Sequence, residues 1–154
     1  MPSATDATAA PGLRASALSD DLSFLLARAN ALSLAAGNFA LGEHGLKVRS
    51  YSVLALAADA ARTSQRELAD FLRLDPSQVV SLVDDLQSRG LVERRPDPRD
   101  RRANVVVATA AGRTLAEKAR ESARRAEERA HAQLSTAERE SLAALLRRMA
   151  FPED

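Results

Sequence analysis

The segment "SQRELADFLRLDPSQVVSLVDDLQSRG", residues 64–90, contains the start and stop signals of two short helices. Ser64 is followed three positions later by Glu67, the spacing of a capping box in which each side chain satisfies a free backbone N–H of the other residue. Asp75 precedes a proline and a glutamine that fit the first and third positions of a second helix, and Gly90 ends that helix. Two capped helices separated by three or four residues are typical of a helix-turn-helix.

The residues that follow predict a β-hairpin. The extended segments "LVERR", residues 91–95, and "RRANVVVAT", residues 101–109, flank the loop "PDPRD", and both prolines lie in the loop, where no ladder hydrogen bond is lost. Six arginines fall within the fourteen positions from Arg89 to Arg102, although the chain of 154 residues has a formal net charge of only +1. We expect the hairpin to be a wing that places positive charge beside the helix-turn-helix.

Helices are predicted on both sides of this centre. Upstream, apolar residues recur at three- and four-residue steps from Asp20 to about Gly42, which predicts one long helix, and residues 49–61 predict a shorter, mostly buried one. Downstream, a long helix is predicted over residues 111–133, and a capping box opens a last helix that ends near Met149. The predicted fold class is therefore mainly α with a short β-hairpin.

The composition excludes several kinds of site. The chain has no cysteine and only two histidines, His44 and His131, so we expect no metal site and no cofactor. Adjacent acids such as Asp84 and Asp85 point about 100° apart on a helix, which does not suit joint acid–base catalysis, and there is no glycine-rich phosphate loop. Aromatic residues make up 3 % of the chain, too few for stacking on single-stranded bases. An enzyme is the least favoured class.

The N-terminal residues show no export signal. "MPSATDATAAPGLRASALSD", residues 1–20, has Pro, Gly, Ser and Thr where a secretory signal has a basic start and an apolar stretch, and we find no apolar run of 18 residues. A hydrophobic content of 45 % with 28 % charged residues is the balance of a soluble globular protein. We expect a cytoplasmic protein with no membrane partner.

The order of these elements, together with "LQSRGLVERRPDPRDRRANVVVATAAGR", resembles the MarR family of bacterial transcription regulators over about residues 18–150. The wing signature of that family is Asp-x-Arg followed after five residues by Leu-Thr. Asp100, Arg102 and Thr109 fit this signature, while Ala108 stands in place of the leucine. The resemblance implies a winged helix-turn-helix protein that dimerises through its terminal helices and binds double-stranded DNA.

The expected organisation is one intertwined domain. Exposed apolar stripes on the first and last helices are too extensive for a helix-turn-helix core of this size to cover, so we expect a homodimer. The parts are a disordered tail over residues 1–17, an N-terminal dimerisation helix over 18–45, a winged helix-turn-helix DNA-binding region over 46–110, and C-terminal dimerisation helices over 111–150.

The second helix of the helix-turn-helix has an inward and an outward face. Val79, Val83 and Leu86 share one face and should pack inward. The residues left to enter a major groove are Ser77, Gln78, Val80 and Ser81. Glutamine can bond adenine and valine can contact a thymine methyl, which suits an A/T-containing half-site; alternatively, the serine and glutamine only cap the helix. Asp85 stands where the family often has a basic residue.

The remaining DNA-binding candidates lie at the start of the preceding helix and in the wing. Free N–H groups at that helix start could hold a phosphate near Thr63, Ser64 and Gln65. The wing candidates are Arg95, Arg99, Asp100, Arg101 and Arg102. By resemblance, Arg102 is the family's wing arginine, oriented by Asp100, with Arg99 or Arg101 supplementing it; strand alternation sends Arg101 and Arg102 to opposite faces. Arg94 and Arg95 are expected to bond the wing backbone or phosphates. The alternative is a solvated charged turn.

A ligand site is also expected from the resemblance. In this family the junction of the first two helices borders a crevice that can hold small, often aromatic anions. The candidates there are Asn38, Phe39, His44, Arg49 and Tyr51; His44 and Arg49 could pair with a carboxylate and Phe39 could cover a ring. Alternatively, these are ordinary loop, surface and core residues.

The sequence thus predicts a DNA-binding transcriptional regulator, and within that class a ligand-responsive repressor that binds a pseudo-palindromic operator as a dimer. Two other functions remain open. One is an architectural DNA binder that tolerates any sequence, and the other is a winged-helix module that binds an acidic protein partner.

Overall fold

The computed structural model describes residues 11–59 and 62–152, and within them the fold is mainly helical. Two short helical turns, Pro11–Arg14 and Ala17–Asp20, precede the first long helix. The main elements in chain order are α1 (Leu22–Leu41), α2 (Val48–Ala58), α3 (Gln65–Leu72), α4 (Pro76–Ser88), β1 (Val92–Pro96), β2 (Asn104–Ala108), α5 (Ala110–Ala130) and α6 (Thr136–Ala150). Residues 1–10 of the predicted tail and residues 60–61 at the predicted end of the second helix lie outside the described residues.

The two helices of the predicted helix-turn-helix form where their capping signals place them. At the start of α3 the Glu67 N–H donates to the Ser64 hydroxyl at 3.2 Å, and the Ser64 N–H donates to the Glu67 carboxylate at 2.7 Å. Arg73 ends the helix in the left-handed region, with a φ of 54°, and the chain then reaches the Asp75 cap of α4. The prediction of two capped helices in close succession is confirmed.

The core lies between α2, α3, α4 and the hairpin. Leu54, Leu68, Val83 and Val106 come from these four elements and are almost completely buried together. Burying one such side chain contributes about 1.5–3 kcal/mol, so the apolar contacts fix the helix-turn-helix against the hairpin. The predicted inward face of α4 is confirmed, since its three apolar residues at i, i+4 and i+7 are fully buried.

The hairpin is antiparallel, and its connection differs from the prediction. The Asp97 N–H donates to the Ala103 carbonyl at 2.9 Å, which continues the ladder past the register pair Pro96 and Asn104. Pro96 therefore belongs to β1 and not to the loop, and β2 begins at Asn104 and not at Arg101. A proline is tolerated there because it is the last residue of a strand in a two-stranded sheet.

The start of α5 is in close contact with the end of α4. The Thr109 hydroxyl donates to the Gly90 carbonyl at 2.7 Å and accepts from the Gly112 N–H at 3.0 Å, so one side chain caps α5 and ties it to the turn after α4. A Cβ atom at position 112 would lie 1.9 Å from the carbonyl oxygen of Leu91. The approach of the two backbones therefore requires glycine.

Large apolar side chains remain exposed on the terminal helices. α1 packs along α5 with its other side open, and α6 has no buried residue in this single chain. The exposed residues are Leu22, Leu25, Leu32, Phe39, Leu142, Leu145, Leu146 and Met149. A helix of 15 residues is marginal in water without packing, so this surface indicates an interaction partner.

One described segment passes a simple test for a membrane span. Leu22–His44 reaches a mean hydropathy of 1.3, and 6 % of that stretch is buried within the chain. The expected absence of an uninterrupted apolar run of 18 residues holds here, because polar residues and Arg28 interrupt the stretch, although its average hydropathy is high. The segment is held against α5, where the Ser33 hydroxyl lies 2.8 Å from Nε2 of His131.

We predict that Gly112→Ala lowers the free energy of unfolding by about 3 kcal/mol, because the added methyl group must displace the Leu91 backbone. Gly42→Ala is the matched control, since its Cβ would meet no atom within 4 Å and its φ is −59°. The control should gain about 0.5–1 kcal/mol from a less flexible unfolded chain. Urea denaturation of both variants measures the difference, and equal stabilities would contradict the close approach.

Candidate nucleic-acid interface

The outward face of α4 is polar and accessible. All four residues predicted to face a groove, Ser77, Gln78, Val80 and Ser81, are exposed. They lie on the first two turns of the helix, on the side opposite the buried apolar residues. Side chains on this face can therefore reach a surface that approaches the start of α4.

The cap of α4 leaves Gln78 unoccupied. The Asp75 carboxylate accepts the Ser77 N–H at 2.8 Å and the Ser77 hydroxyl at 2.5 Å, and these bonds hold the pKa of Asp75 below its usual value. The predicted reciprocal bond, in which the Gln78 side chain accepts the backbone N–H of Asp75, does not form. Within the described part of the chain the Gln78 side chain makes no hydrogen bond, so its amide is available to an external partner.

The start of α3 differs from a simple phosphate site. The Ser64 hydroxyl donates to Glu67 at 2.8 Å, and with the Ser64 N–H this holds the pKa of the Glu67 carboxyl below its usual value. The carboxylate thus occupies the positive end of the helix dipole. Thr63 accepts the Val106 N–H through its backbone carbonyl at 2.9 Å, and the Gln65 amide oxygen accepts from Arg94. The polar groups of these residues are largely used within the chain.

Arg94 joins three elements. From β1, its guanidinium donates to the Gln65 oxygen of α3 at 2.9 and 2.6 Å, to the Gln87 oxygen of α4 at 2.7 Å, and to the Asp84 carboxylate of α4 at 2.5 Å. The expectation that Arg94 bonds the wing backbone or a phosphate is wrong, because its strand position turns it toward the helices. Period-two alternation with the buried Val92 is the sequence signal that could have shown this.

Arg95 and Arg99 are held by acids of the hairpin. Arg95 points to the opposite side of β1 from Arg94 and pairs with Glu93. Arg99 folds back on Asp97 through two hydrogen bonds of 3.1 and 3.0 Å, and this guanidinium lowers the pKa of the nearly buried Asp97 carboxyl. Both arginines remain largely exposed, but their charge is partly offset by the paired carboxylates.

The tip of the wing is a tight turn. The Asp100 carboxylate accepts the backbone N–H of Arg102 at 2.9 Å, so it orders the turn and does not contact the guanidinium of that residue. The alternation argument for Arg101 and Arg102 does not apply, because both lie in the turn and not in a strand. Their side chains are exposed and make no hydrogen bond or ion pair within the described residues.

The five residues predicted to form a ligand crevice are not brought together. Phe39 is 90 % exposed on the outer side of α1. His44 turns toward α5, where its Nε2 lies 2.9 Å from the Ser122 hydroxyl. Tyr51 lies near Arg120 of α5. These three residues therefore lie on different sides of the junction between α1 and α2.

The other two candidates, Asn38 and Arg49, do border one cleft. The cleft has a volume of about 490 Å³, lies between α1, the start of α2 and α4, and is also lined by Leu34, Lys47, Val48, Leu82 and Asp85. The Asp85 carboxylate is paired with Arg89 at 3.5 Å. The Asn38 amide oxygen accepts the Val48 N–H at 2.8 Å, so it also caps α2. Apolar walls with a cation at the rim suit a molecule that has both an apolar and an anionic part.

Sequence reasoning missed a second group of contacts beside this cleft. Arg89, just after α4, donates to the carbonyls of Gly45 and His44 at 2.9 and 3.2 Å. The Ser122 hydroxyl of α5 donates to Glu43 at 2.6 Å and lowers the pKa of that carboxyl. The turn after α1 is thus bonded to both α4 and α5. No group of three or more potential metal ligands occurs among the described residues.

These elements define a winged helix-turn-helix: two capped helices, an exposed polar face on the second, and an arginine-rich hairpin joined to both. Comparison with known proteins agrees. Residues 44–103 match the family model described as MarR family. A MarR-family transcriptional regulator from Rhodococcus sp. RHA1 is 43 % identical, with 89 % of this chain and 99 % of that chain covered and a TM-score of 0.83. The chain belongs to the MarR family of transcriptional regulators.

Two further relatives are informative. CouR from Rhodococcus jostii RHA1, solved with p-coumaroyl-CoA bound, is 44 % identical over 90 % of this chain and 97 % of that chain, with a TM-score of 0.81. The HTH-type transcriptional repressor NicR of Pseudomonas putida is 32 % identical over 99 residues, which cover 64 % of this chain. That match spans 63 % of the length of NicR. Proteins of this family are regulators and not enzymes.

We predict that Arg94→Lys lowers the free energy of unfolding by about 1–2 kcal/mol, because one ammonium group cannot replace a planar guanidinium that binds three side chains. The matched control is Arg95→Lys on the same strand, where an exposed pair with Glu93 is lost and the change should be below about 0.5 kcal/mol. Denaturant titration compares them. Equal losses would show that the contacts of Arg94 do not stabilise the fold.

Proposed function

We propose that this protein is a cytoplasmic homodimer that represses transcription by binding a pseudo-palindromic DNA operator, and that a small anionic ligand releases it. The observation that carries the proposal is the exposed face of α4, where the unoccupied Gln78 amide lies on the same helix that Arg94 joins to the wing. In the bound state α4 enters the major groove, and Arg101 and Arg102 at the wing tip reach the neighbouring minor groove and its phosphates.

The dimer is supported by the unpaired apolar surfaces of α1 and α6. Each helix exposes leucines along one side, and α6 packs on little of its own chain. A two-fold axis through these helices pairs the same apolar surface of each protomer. It also places the two copies of α4 on one side of the dimer, where they can meet successive major grooves of a single duplex. The apolar length of α1 is then covered by a protomer and not by a membrane.

The proposed ligand occupies the 490 Å³ cleft between α1, the start of α2 and α4. Because the wall includes leucines and the rim includes Lys47 and Arg49, we propose an aromatic carboxylate or its coenzyme A thioester. The p-coumaroyl-CoA bound to the CouR relative supports this class of ligand. A ligand in this cleft contacts α1 and α4 together, so it can change the angle between the dimer helices and the helix that enters the groove.

We predict that a duplex selected from genomic fragments is an imperfect inverted repeat with half-site centres about 10 bp apart. On that duplex, Gln78→Ala should change the preference at one base pair per half-site by about 1–3 kcal/mol. Arg102→Ala should weaken binding to every sequence. Fluorescence anisotropy on single-base variants of the duplex measures both effects.

Four outcomes would contradict the proposal. If Gln78→Ala weakens binding equally on all sequences, Gln78 does not read a base pair. If the protein binds operator and random duplex with equal affinity, it is an architectural DNA binder. If the protein binds no duplex at low salt, the remaining alternative is a winged-helix module that binds a protein partner. A monomer at micromolar concentration would contradict the two-fold arrangement.

We predict that hydroxycinnamates, benzoates or their coenzyme A thioesters raise the melting temperature and weaken operator binding by about 5- to 150-fold, the range of a coupling of about 1–3 kcal/mol. Leu34→Trp fills the cleft and should abolish the shift while operator binding remains. Calorimetry on free and DNA-bound protein should give the same coupling factor in both directions. If the ligand still releases operator DNA from the Leu34→Trp variant, the ligand binds outside this cleft.

A further inference from the structure

α4 is flanked by different groups on its two sides. On one side, Asp84 and Gln87 of α4 bind Arg94 of the wing, which also binds Gln65 of α3. On the other side lies the start of α2. There Arg49, the second residue of α2, borders an open cleft of about 380 Å³ whose other walls are residues of the exposed face of α4: Ser77, Gln78, Ser81 and Leu82.

A helix in the major groove has a phosphate backbone on each side. The groove is about 12 Å wide, so a helix that fills it approaches both walls. In the proposed complex the wing lies on the side of one wall. Among the described residues, Arg49 is the only cation that lines the cleft on the other side of the exposed face.

The Arg49 side chain is available for such a contact. It is exposed and makes no hydrogen bond or ion pair within the described residues. Its neighbour Arg89 is committed, because it donates to two backbone carbonyls and lies 3.5 Å from the Asp85 carboxylate. That pair also offsets the negative charge of Asp85, which would otherwise repel a phosphate on this side of α4.

We propose that Arg49 binds a backbone phosphate of the operator on the wall of the major groove opposite the wing, so that charged contacts clamp α4 from both sides. This inference rests on the proposed DNA-binding function and adds a residue to it. It gives Arg49 a role in addition to the ligand rim, because the same residue borders both clefts. A phosphate contact fixes the register of α4 and carries no base preference.

The test measures the salt dependence of binding for the full chain without ligand. Wild type, Arg49→Gln, Arg49→Lys and Arg129→Gln are titrated with the selected operator and with random duplex over a series of potassium chloride concentrations. Arg129, exposed in the last turn of α5, is the matched control for the loss of one positive charge. Melting temperatures and the oligomeric state of all four proteins are measured in parallel.

Loss of two phosphate contacts per dimer should make the slope of log K against log salt about 1.8 units shallower for Arg49→Gln. The weakening should be the same for operator and random duplex, while Arg49→Lys and Arg129→Gln keep the wild-type slope. A wild-type slope for Arg49→Gln would overturn the inference, and so would a loss confined to particular bases or a shallow slope for Arg49→Lys. Failure of wild type to bind any duplex would be seen first and would overturn the proposed function itself.

Discussion

The hydrogen bonds of Arg94, together with the buried apolar contacts of Val92 and Val106, determine how the wing lies relative to the helix-turn-helix. A two-stranded hairpin is marginally stable on its own, and its loop carries several positive charges that repel one another. One guanidinium binds Gln65 of α3 and both Asp84 and Gln87 of α4. These bonds therefore join β1 to the start of α3 and to the last turns of α4 in a single unit. The exposed face of α4 and the wing tip therefore keep a fixed spacing, which a duplex of regular geometry requires.

A second set of contacts joins this unit to the terminal helices. Arg89 holds the turn after α1 by its backbone carbonyls, and His44 and Glu43 of the same turn meet Ser122 of α5. At the other end of α5, the Thr109 hydroxyl binds the turn after α4. Short polar contacts thus connect α1 and α5 to α4. The cleft proposed for the ligand borders two of these connected helices, α1 and α4.

The order, type and approximate ends of the helices could be predicted from the sequence, because capping residues such as Ser64 and Asp75 and the apolar spacing of α4 act locally. The inward and outward faces of α4 followed from the same periodicity. The partners of the arginines could not be predicted, since Gln65 and Arg94 are 29 positions apart and meet only after the hairpin folds. Only Asn38 and Arg49 of the ligand candidates border one cleft, because residues adjacent in sequence, such as Phe39 and Asn38, point to different sides of a helix.

The near-neutral charge of the chain is compatible with a DNA-binding surface because its arginines have two kinds of environment. On α5, Arg124 lies within hydrogen-bond distance of Glu121 and Glu128, and Arg125 also faces Glu121, so the charges of these two arginines are partly offset. At the wing tip and the start of α2, the exposed arginines have no acidic partner among the described residues. Since exposed charges act over about 8–10 Å at physiological salt, the local balance and not the net charge sets the potential that a phosphate meets. A chain of charge +1 can therefore hold a polyanion at one face.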